Sequence, residues 1–301
     1  MKSGSDNMKN GVLYVIITAI LFTTFEPVCK LFAHEINPYA ITALRFLIGS
    51  LVLLPFSIRE TVKKKIKLKY TDFVVIVLLG VLFICVSMVL LQVSLKMADS
   101  PALIAIIFSA NSVFTIILSV VFLKVKVTKL NAAGIILCIV GVILCGDFTQ
   151  GSNTISVILG LLSAITFSVY TVLAKKYMTK VSGVIQTGIS FFSGSVILLI
   201  ILLLCGINVT EGISQSNALL FLYVAIFVTG IGYAAYFAAM KTGGAQLAAI
   251  SFMIKPILTP FATFFINGIV PDKKVIIALI LVVAGLYMAS KKEKSKLGEI
   301  K

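Results

Sequence analysis

The sequence predicts an all-helical, polytopic membrane protein with ten transmembrane helices arranged as two inverted five-helix repeats. Its composition, the placement of its basic residues and an internal repeat support this fold class. Apolar side chains make up 59% of the 301 residues and charged ones 12%, whereas soluble domains carry about 25% charged residues. This composition excludes soluble enzymes, secreted disulfide scaffolds and disordered proteins.

The apolar residues fall into ten continuous stretches. A helix needs about 20 apolar residues to cross the hydrocarbon core, where its backbone polar groups must be satisfied internally. Continuous stretches exclude a transmembrane β-barrel, which would show alternating segments of about ten residues. We predict spans at residues 11–33, 38–58, 72–95, 99–123, 130–146, 155–176, 182–205, 217–241, 245–267 and 274–290.

The connections between these stretches are too short to hold a soluble domain. We therefore divide the chain into a cytoplasmic N-terminal tail (1–10), a first repeat (11–146), a second repeat (155–290) and a basic cytoplasmic tail (291–301). A cleaved signal peptide is not expected, because the first ten residues are polar and the apolar run after them is too long.

Lys and Arg residues are distributed very unevenly between the two sets of connections. With the N-terminus inside, the inside segments hold 20 of them and the outside segments 4. This positive-inside bias predicts a multi-pass protein of the cell membrane with both termini in the cytoplasm. It also accounts for the net charge of +15, so no nucleic-acid partner is expected.

A nearly constant shift aligns the two halves of the chain. A shift of 145 residues places Phe46 on Phe191 and Gly49 on Gly194, and a shift of 144 aligns the later spans. Five spans is an odd number, so the second half must insert upside down relative to the first. Inverted repeats are a recurrent plan of secondary transporters, which bind substrate near the midplane between the halves. The architecture therefore predicts alternating access.

Short motifs in three regions add a family resemblance. They are Ile20-Leu21-Phe22-Thr23 with Lys30, Ala43-Leu44-Arg45-Phe46, and Pro101-Ala102-Leu103 followed by Gly134 and Gly141. With them, residues 10 to 290 resemble the EamA-type members of the drug/metabolite transporter superfamily. The resemblance implies ten spans in two repeats and the export of metabolites such as amino acids.

The chain also departs from that family. Phe22 and Thr23 stand in place of its Trp-Gly pair. Lys124-Val125 and Gly268-Ile269 follow the fourth and ninth spans, where the family often has Gly-Glu. No role of that glutamate can be carried over to this chain.

Lys255 is the clearest candidate for substrate binding. It lies near the centre of the ninth span, about 15 Å from either interface at helical rise, and an ionisable group at that depth is costly. Pro256 and Pro260 follow it and remove backbone donors. We therefore expect a broken or kinked helix that lines a cavity, with these two prolines in structural or gating roles.

Glu26 is the second candidate, and Pro27 follows it directly as a further structural or gating residue. The repeat places Thr171 opposite Glu26 and Asn111 opposite Lys255, so the fold itself requires neither charge. Our hypothesis is that Lys255 receives a substrate carboxylate while Glu26 receives an ammonium group or a coupling proton. The alternative is that the two residues form a buried ion pair that fixes packing.

Arg45 is interpreted as a structural or orientation charge. It lies about 10 Å below the predicted outer interface at helical rise, where it could reach water or pair with Glu35 or Asp99. In the small multidrug-resistance relatives of the superfamily, an essential carboxylate of the first helix aligns with Thr23, not with Glu26. This departure argues against a simple exchange of protons for cations.

Softer candidates for substrate binding are polar or aromatic. Tyr170 pairs with Phe25 through the repeat, Tyr233 and Tyr236 lie one turn apart, and Asn111 mirrors Lys255. The alternative for each tyrosine is that it fills space and satisfies its hydroxyl.

The sequence predicts no cofactor, no metal site and no catalytic residue. All five Cys lie in apolar stretches without a Cys-x-x-Cys pair, and His34 is the single histidine. No Gly-x-x-x-x-Gly-Lys-[Ser/Thr] motif is present, so a proton or substrate gradient must drive transport.

The leading prediction is a secondary-active transporter, an exporter of small polar metabolites such as amino acids. The alternatives are an exchanger of organic anions or phosphometabolites, an intramembrane enzyme or a channel. Expected partners are a small-molecule substrate, the lipid bilayer and coupling protons. The sequence fits a monomer and a homodimer equally.

Overall fold

The computed structural model describes residues 4–124, 128–145, 151–178 and 181–290, so the predicted tail 291–301 lies outside the described residues. In this part of the chain every regular element is helical. The elements are α1 (Gly4–Thr23), α2 (Phe25–Phe32), α3 (Pro38–Lys64), α4 (Tyr70–Gly80), π1 (Val81–Met88), α5 (Val89–Met97), α6 (Pro101–Ser109), α7 (Asn111–Leu123), α8 (Lys129–Cys145), α9 (Gly151–Tyr177), α10 (Gly183–Leu204), α11 (Gln215–Leu222), π2 (Tyr223–Ile231), α12 (Gly232–Asn267) and α13 (Lys273–Ser290). Helix α1 thus starts inside the predicted N-terminal tail.

Eight helical segments of the described chain are long and apolar enough to cross a membrane. They are Asn10–Phe32, Pro38–Lys64, Tyr70–Met97, Pro101–Leu123, Thr154–Tyr177, Gly183–Leu204, Gln215–Thr242 and Ile250–Asn267. The fifth and tenth predicted spans correspond to α8 and α13, which have 17 and 18 residues. At helical rise they measure about 25–27 Å, somewhat less than the hydrocarbon core.

Helix α12 contains parts of two spans. The ring centroids of Tyr236 and Phe252 lie 5.2 Å apart, although a straight helix would separate these residues by about 24 Å. The segment therefore turns back on itself between them. The eighth span ends at Thr242 and the ninth begins at Ile250, so the reversal lies where we predicted a connection between the two spans.

Interruptions of regular α-helix occur at four other places. Thr24 separates α1 from α2, and Ala110 separates α6 from α7. The third and eighth spans each contain a π-helical segment, π1 and π2. Such segments are rare and often lie at functional sites. All four interruptions lie well inside their spans.

Glycines let several helices approach closely. A β-carbon on Gly49 of α3 would lie 3.1 Å from the carbonyl oxygen of Ala225 in π2. In α8, Gly134 lies against Gly285 of α13 and Gly141 lies against Ala278. Residue numbers run in opposite directions along this last contact, so α8 and α13 pack antiparallel. Small residues at such interfaces are typical of membrane helices.

An aromatic cluster occupies the middle of the bundle. The ring of Phe191 in α10 lies 4.7 Å from that of Phe46 in α3 and 5.1 Å from that of Phe83 in π1. All three side chains are almost completely buried. Phe46 also lines the cavity described next, so the cluster forms one rigid side of that cavity.

Candidate functional site

A small cavity lies between the first, second, third, fourth, sixth, eighth and ninth spans. Its volume is about 40 Å³, enough for about three water molecules. It is lined by Phe22, Phe25, Arg45, Phe46, Met88, Leu91, Phe108, Phe167, Val228, Thr229, Tyr233, Phe252 and Lys255. Most of this wall is aromatic or aliphatic, and two side chains are cationic. A metabolite would fit only after the helices move apart.

Lys255 lines this cavity and forms a buried ion pair with Glu26, which is not itself among the lining residues. The Lys255 ammonium donates to Glu26 Oε1 at 2.5 Å. Glu26 has no exposed surface, and Lys255 is 7% exposed. The second carboxylate oxygen, Oε2, has no hydrogen-bond partner. The structure thus brings the two strongest candidates together and leaves one strong acceptor unused.

The interruption at Thr24 positions Glu26. Pro27 has no N–H to donate to the carbonyl of Thr23, so the helix cannot continue normally across this turn. Glu26 then lies in the first turn of α2, where the helix dipole favours a negative charge.

Pro256 and Pro260 lie inside α12, and the helix continues through both. The two prolines deprive the carbonyls of Phe252 and Pro256 of their usual donors, whereas the Lys255 carbonyl accepts from the Thr259 hydroxyl at 2.8 Å. No break of the helix occurs beside Lys255, whereas the first and fourth spans are interrupted at Thr24 and Ala110.

Arg45, interpreted from the sequence as an orientation or packing charge, is part of the cavity wall. It is 3% exposed, and its guanidinium carbon lies 4.2 Å from the ring centroid of Phe25 and 4.4 Å from that of Phe46. Its Nη2 lies 3.8 Å from the sulfur of Met88, and its Nε has no hydrogen-bond partner. Stacking on two rings holds the guanidinium inward.

Glu35, one of the two acidic partners suggested for Arg45, accepts a hydrogen bond from the side-chain amide of Asn217 at 2.5 Å. Residue spacing along the helix axis does not give the direction of a long side chain, so the inward position of Arg45 could not be predicted from its depth.

The charges at the cavity do not cancel. With all three groups ionised, Arg45 and Lys255 supply two positive charges and Glu26 supplies one negative charge. Burying an uncompensated charge costs several kcal/mol. The cavity is therefore suited to an anionic group of a ligand, placed where it can accept from the guanidinium.

The softer candidates separate into two groups. Tyr233 lines the cavity, whereas Tyr170, Tyr236 and Asn111 are not among its lining residues. The Tyr170 hydroxyl accepts from Gln186 at 3.2 Å, and the Asn111 amide donates to the Phe108 carbonyl at 2.7 Å. The first contact joins α10 to α9, and the second is local, between residues three apart in the fourth span.

Tyr236 packs against Phe252, which does line the cavity. It therefore supports the wall from behind.

Two features of this region were not found from the sequence. Gln92 of α5 is completely buried, and neither of its amide atoms has a hydrogen-bond partner. It directly follows Leu91, which lines the cavity. Its polarity within an apolar span was the available signal. The second feature is that π1 and π2 supply Met88, Val228 and Thr229 to the wall, for which the sequence offers no clear signal.

Among the described residues, no group of three His, Cys, Asp or Glu side chains is placed to hold a metal ion.

Comparisons with known proteins point to transport. The sequence matches the EamA-like transporter family over residues 9–146 and 154–291.

Two curated relatives span nearly the same length. An uncharacterized transporter of Clostridium kluyveri is 32% identical over 297 residues, covering 95% of each chain. The uncharacterized transporter YyaM of Bacillus subtilis is 27% identical over 299 residues, covering 94% of this chain and 95% of the relative. A solved crystal structure shares the fold with a TM-score of 0.65 at 18% identity, covering 94% of this chain and 96% of that one.

Proposed function

Because the chain belongs to the EamA-like transporter family, we propose that it is a secondary-active transporter that exports small polar metabolites bearing a carboxylate, such as amino acids. Alternating access between two inverted five-helix halves, 11–146 and 155–290, moves the substrate. A proton or substrate gradient supplies the energy. The protein lies in the cell membrane with both termini in the cytoplasm.

One observation carries this proposal: two buried hydrogen-bonding groups of opposite sign are unused at the central cavity, one on Arg45 of its wall and one on Glu26, the ion-pair partner of its Lys255. The Nε of Arg45 is a donor without a partner, and the Oε2 of Glu26 is an acceptor without a partner. A carboxylate placed at Arg45 and an ammonium group placed at Glu26 would satisfy both. Apolar rings around these groups suit the side chain of the solute.

Contacts between α8 and α13 support the inverted arrangement. The shift of 144 places Gly134 on Ala278 and Gly141 on Gly285. If the two halves are related by this shift, a contact between Gly134 and Gly285 requires an equivalent contact between their repeat partners, Ala278 and Gly141. Both contacts are present. A two-fold axis produces this self-complementary pattern. The antiparallel pair of short helices completes the proposed set of ten spans.

A second pair of contacts follows the same rule. The shift of 145 pairs Gly49 with Gly194 and Gly80 with Ala225. The close contact between Gly49 and Ala225 therefore has an equivalent between Gly194 and Gly80, and both contacts occur. The contact between Phe46 and its repeat partner Phe191 maps onto itself, which places it beside the proposed axis. The cavity next to Phe46 is then near the interface of the halves, where transporters bind substrate.

An exchanger of organic anions is the second candidate function. The excess positive charge of Arg45 favours it, because a monoanion would neutralise the cavity completely, whereas a zwitterion leaves one net positive charge. In that case Glu26 would remain committed to Lys255 during transport.

Counterflow in proteoliposomes tests the proposal. Proteoliposomes that contain the purified protein would be loaded with leucine, with its deaminated analogue isocaproate or with its decarboxylated analogue isopentylamine. A wider panel of amino acids, organic acids and amines would be assayed in the same way at several pH gradients. The proposal predicts saturable exchange of amino acids and none of amines. Preferred exchange of deaminated acids would support the anion exchanger.

Other outcomes of the same experiment would contradict transport of this kind. Chemical conversion of a solute without net movement would indicate an intramembrane enzyme. Flux that never saturates would indicate a channel.

A further inference from the structure

A second, larger cavity lies at the end of the bundle that is predicted to face the cytoplasm. Its volume is about 490 Å³, within the usual size range of ligand pockets. It is formed by the end of α3, the beginning of α10 and the first part of α12. The residues of its wall are separate from those of the central cavity.

The charged part of this wall is strongly basic. Arg59, Lys63 and Lys64 come from α3, and Lys241 comes from α12, so both proposed halves contribute cations. Glu60 is the single acidic residue of the lining and is bound to Lys64 at 2.6 Å. The formal charge of the lining is therefore +3. In the described chain, Arg59, Lys63 and Lys241 form no salt bridge within 4 Å.

The rest of the wall is apolar. Phe56 and Phe237, with the small residues Ala234 and Ala238, face the same cavity. Phe56 lies about 4.5 Å deeper along α3 than Arg59 at helical rise, and it is 52% exposed. The cavity thus combines a basic end toward the aqueous phase with an aromatic wall toward the hydrocarbon.

We propose that this cavity binds a phosphate-bearing anion, with the phosphate at Arg59 and Lys241 and an apolar portion against Phe56. Guanidinium groups bind phosphate oxygens through two parallel hydrogen bonds, and lysines add charge. Basic pockets between membrane helices on the cytoplasmic side bind anionic lipid headgroups. A soluble phosphate ester has the same recognition chemistry. The site is independent of what the central cavity transports.

Basic residues at this end also set membrane orientation, and the chain offers a control for that role. Lys67 and Lys69 lie in the connection between α3 and α4 and are exposed, but they do not line the cavity. The double variant Lys67→Gln/Lys69→Gln removes the same charge as Arg59→Gln/Lys241→Gln. A difference between the two variants therefore reports the cavity, not the net charge.

The test measures binding to the full-length protein by two routes. In the lipid arm, native mass spectrometry counts phosphatidylglycerol retained after extraction from nanodiscs of equal phosphatidylcholine and phosphatidylglycerol. In the soluble arm, glycerol 3-phosphate and inorganic phosphate are titrated onto protein in nanodiscs of phosphatidylcholine alone.

We expect Arg59→Gln/Lys241→Gln to weaken binding about thirtyfold, and the control variant to bind within about twofold of wild type. Binding in the lipid arm alone identifies a headgroup site, and binding in the soluble arm alone identifies a soluble ester. Absence of binding in both arms, or equal losses in the two variants, would overturn the proposal.

Discussion

Two Lys–Glu pairs of almost the same length occupy very different surroundings in this protein. Lys255 and Glu26 meet at 2.5 Å with side chains 8% and 0% exposed, whereas Lys64 and Glu60 meet at 2.6 Å with side chains 52% and 18% exposed. Distance alone would rank them equally. Burial separates them, because water screens the outer pair and replaces its contacts when it breaks.

The difference also separates the two cavities. At the central cavity each charge was removed from water and must be compensated by protein or ligand. At the basic end each charge keeps much of its hydration. We therefore expect charge changes to alter folding and transport strongly at the first place, and ligand affinity with little effect on folding at the second.

The largest expected effect comes from breaking the inner pair on one side only. Glu26→Gln leaves the Lys255 ammonium buried without a carboxylate, and the free energy of unfolding should fall by about 3–5 kcal/mol. Adding Lys255→Met should restore stability to at least the wild-type value. Unfolding in detergent measures both effects. Equal stability of the single and double variants would show that burial does not make the Lys255–Glu26 pair more costly to break than the exposed Lys64–Glu60 pair.

The next largest effect on the free energy of unfolding is expected from a substitution that changes helix packing and leaves the charge unaltered. A β-carbon on Gly134 would lie 2.6 Å from the carbonyl oxygen of Gly285, so Gly134→Leu should destabilise by about 1–3 kcal/mol. The neighbouring Ala133 is exposed on α8. Ala133→Leu should change stability by less than about 0.5 kcal/mol, as the same unfolding assay would show. Similar values for both would contradict the close contact of α8 with α13.

Arg45 tests whether the unpaired cation acts on the ligand. Arg45→Met should raise the KM for a carboxylate solute about tenfold, a loss of about 1.4 kcal/mol, while the protein remains folded. Counterflow kinetics measure this change. The control is Lys67→Met, which removes an exposed cation that lines neither cavity. An unchanged KM in Arg45→Met would make its charge purely structural.

The smallest effect is expected at the outer pair. Glu60→Gln breaks an exposed contact between residues four apart on one helix, which contributes about 0.3–0.5 kcal/mol. The unfolding assay should therefore detect almost no change. A loss above about 1 kcal/mol would show that burial does not distinguish the two pairs.

Much of this arrangement could be predicted from the sequence. Hydrophobic length located the helices to within a few residues, since the bilayer sets how much apolar chain a span needs. The cost of a charge at depth identified Lys255 and Glu26. The repeat supplied the hypothesis that places them between two halves.

The remaining features depend on side-chain direction and local backbone geometry, which residue spacing does not encode. Arg45 turns inward because two rings accept its guanidinium, and Asn111 binds a backbone carbonyl instead of facing the cavity. The helix is interrupted at Thr24, not at Pro256. Gln92 could not be predicted as a site residue, because a single amide in an apolar span forms no repeating pattern of polar residues.

The proposed role of the buried charges is tested most directly by the double variant Glu26→Gln/Lys255→Met. Its unfolding stability and its saturable counterflow would be compared with those of wild type in the same lipid. We predict a protein at least as stable as wild type that has lost exchange of the carboxylate solute. Wild-type exchange by the stable double variant would contradict a substrate-binding role for these residues.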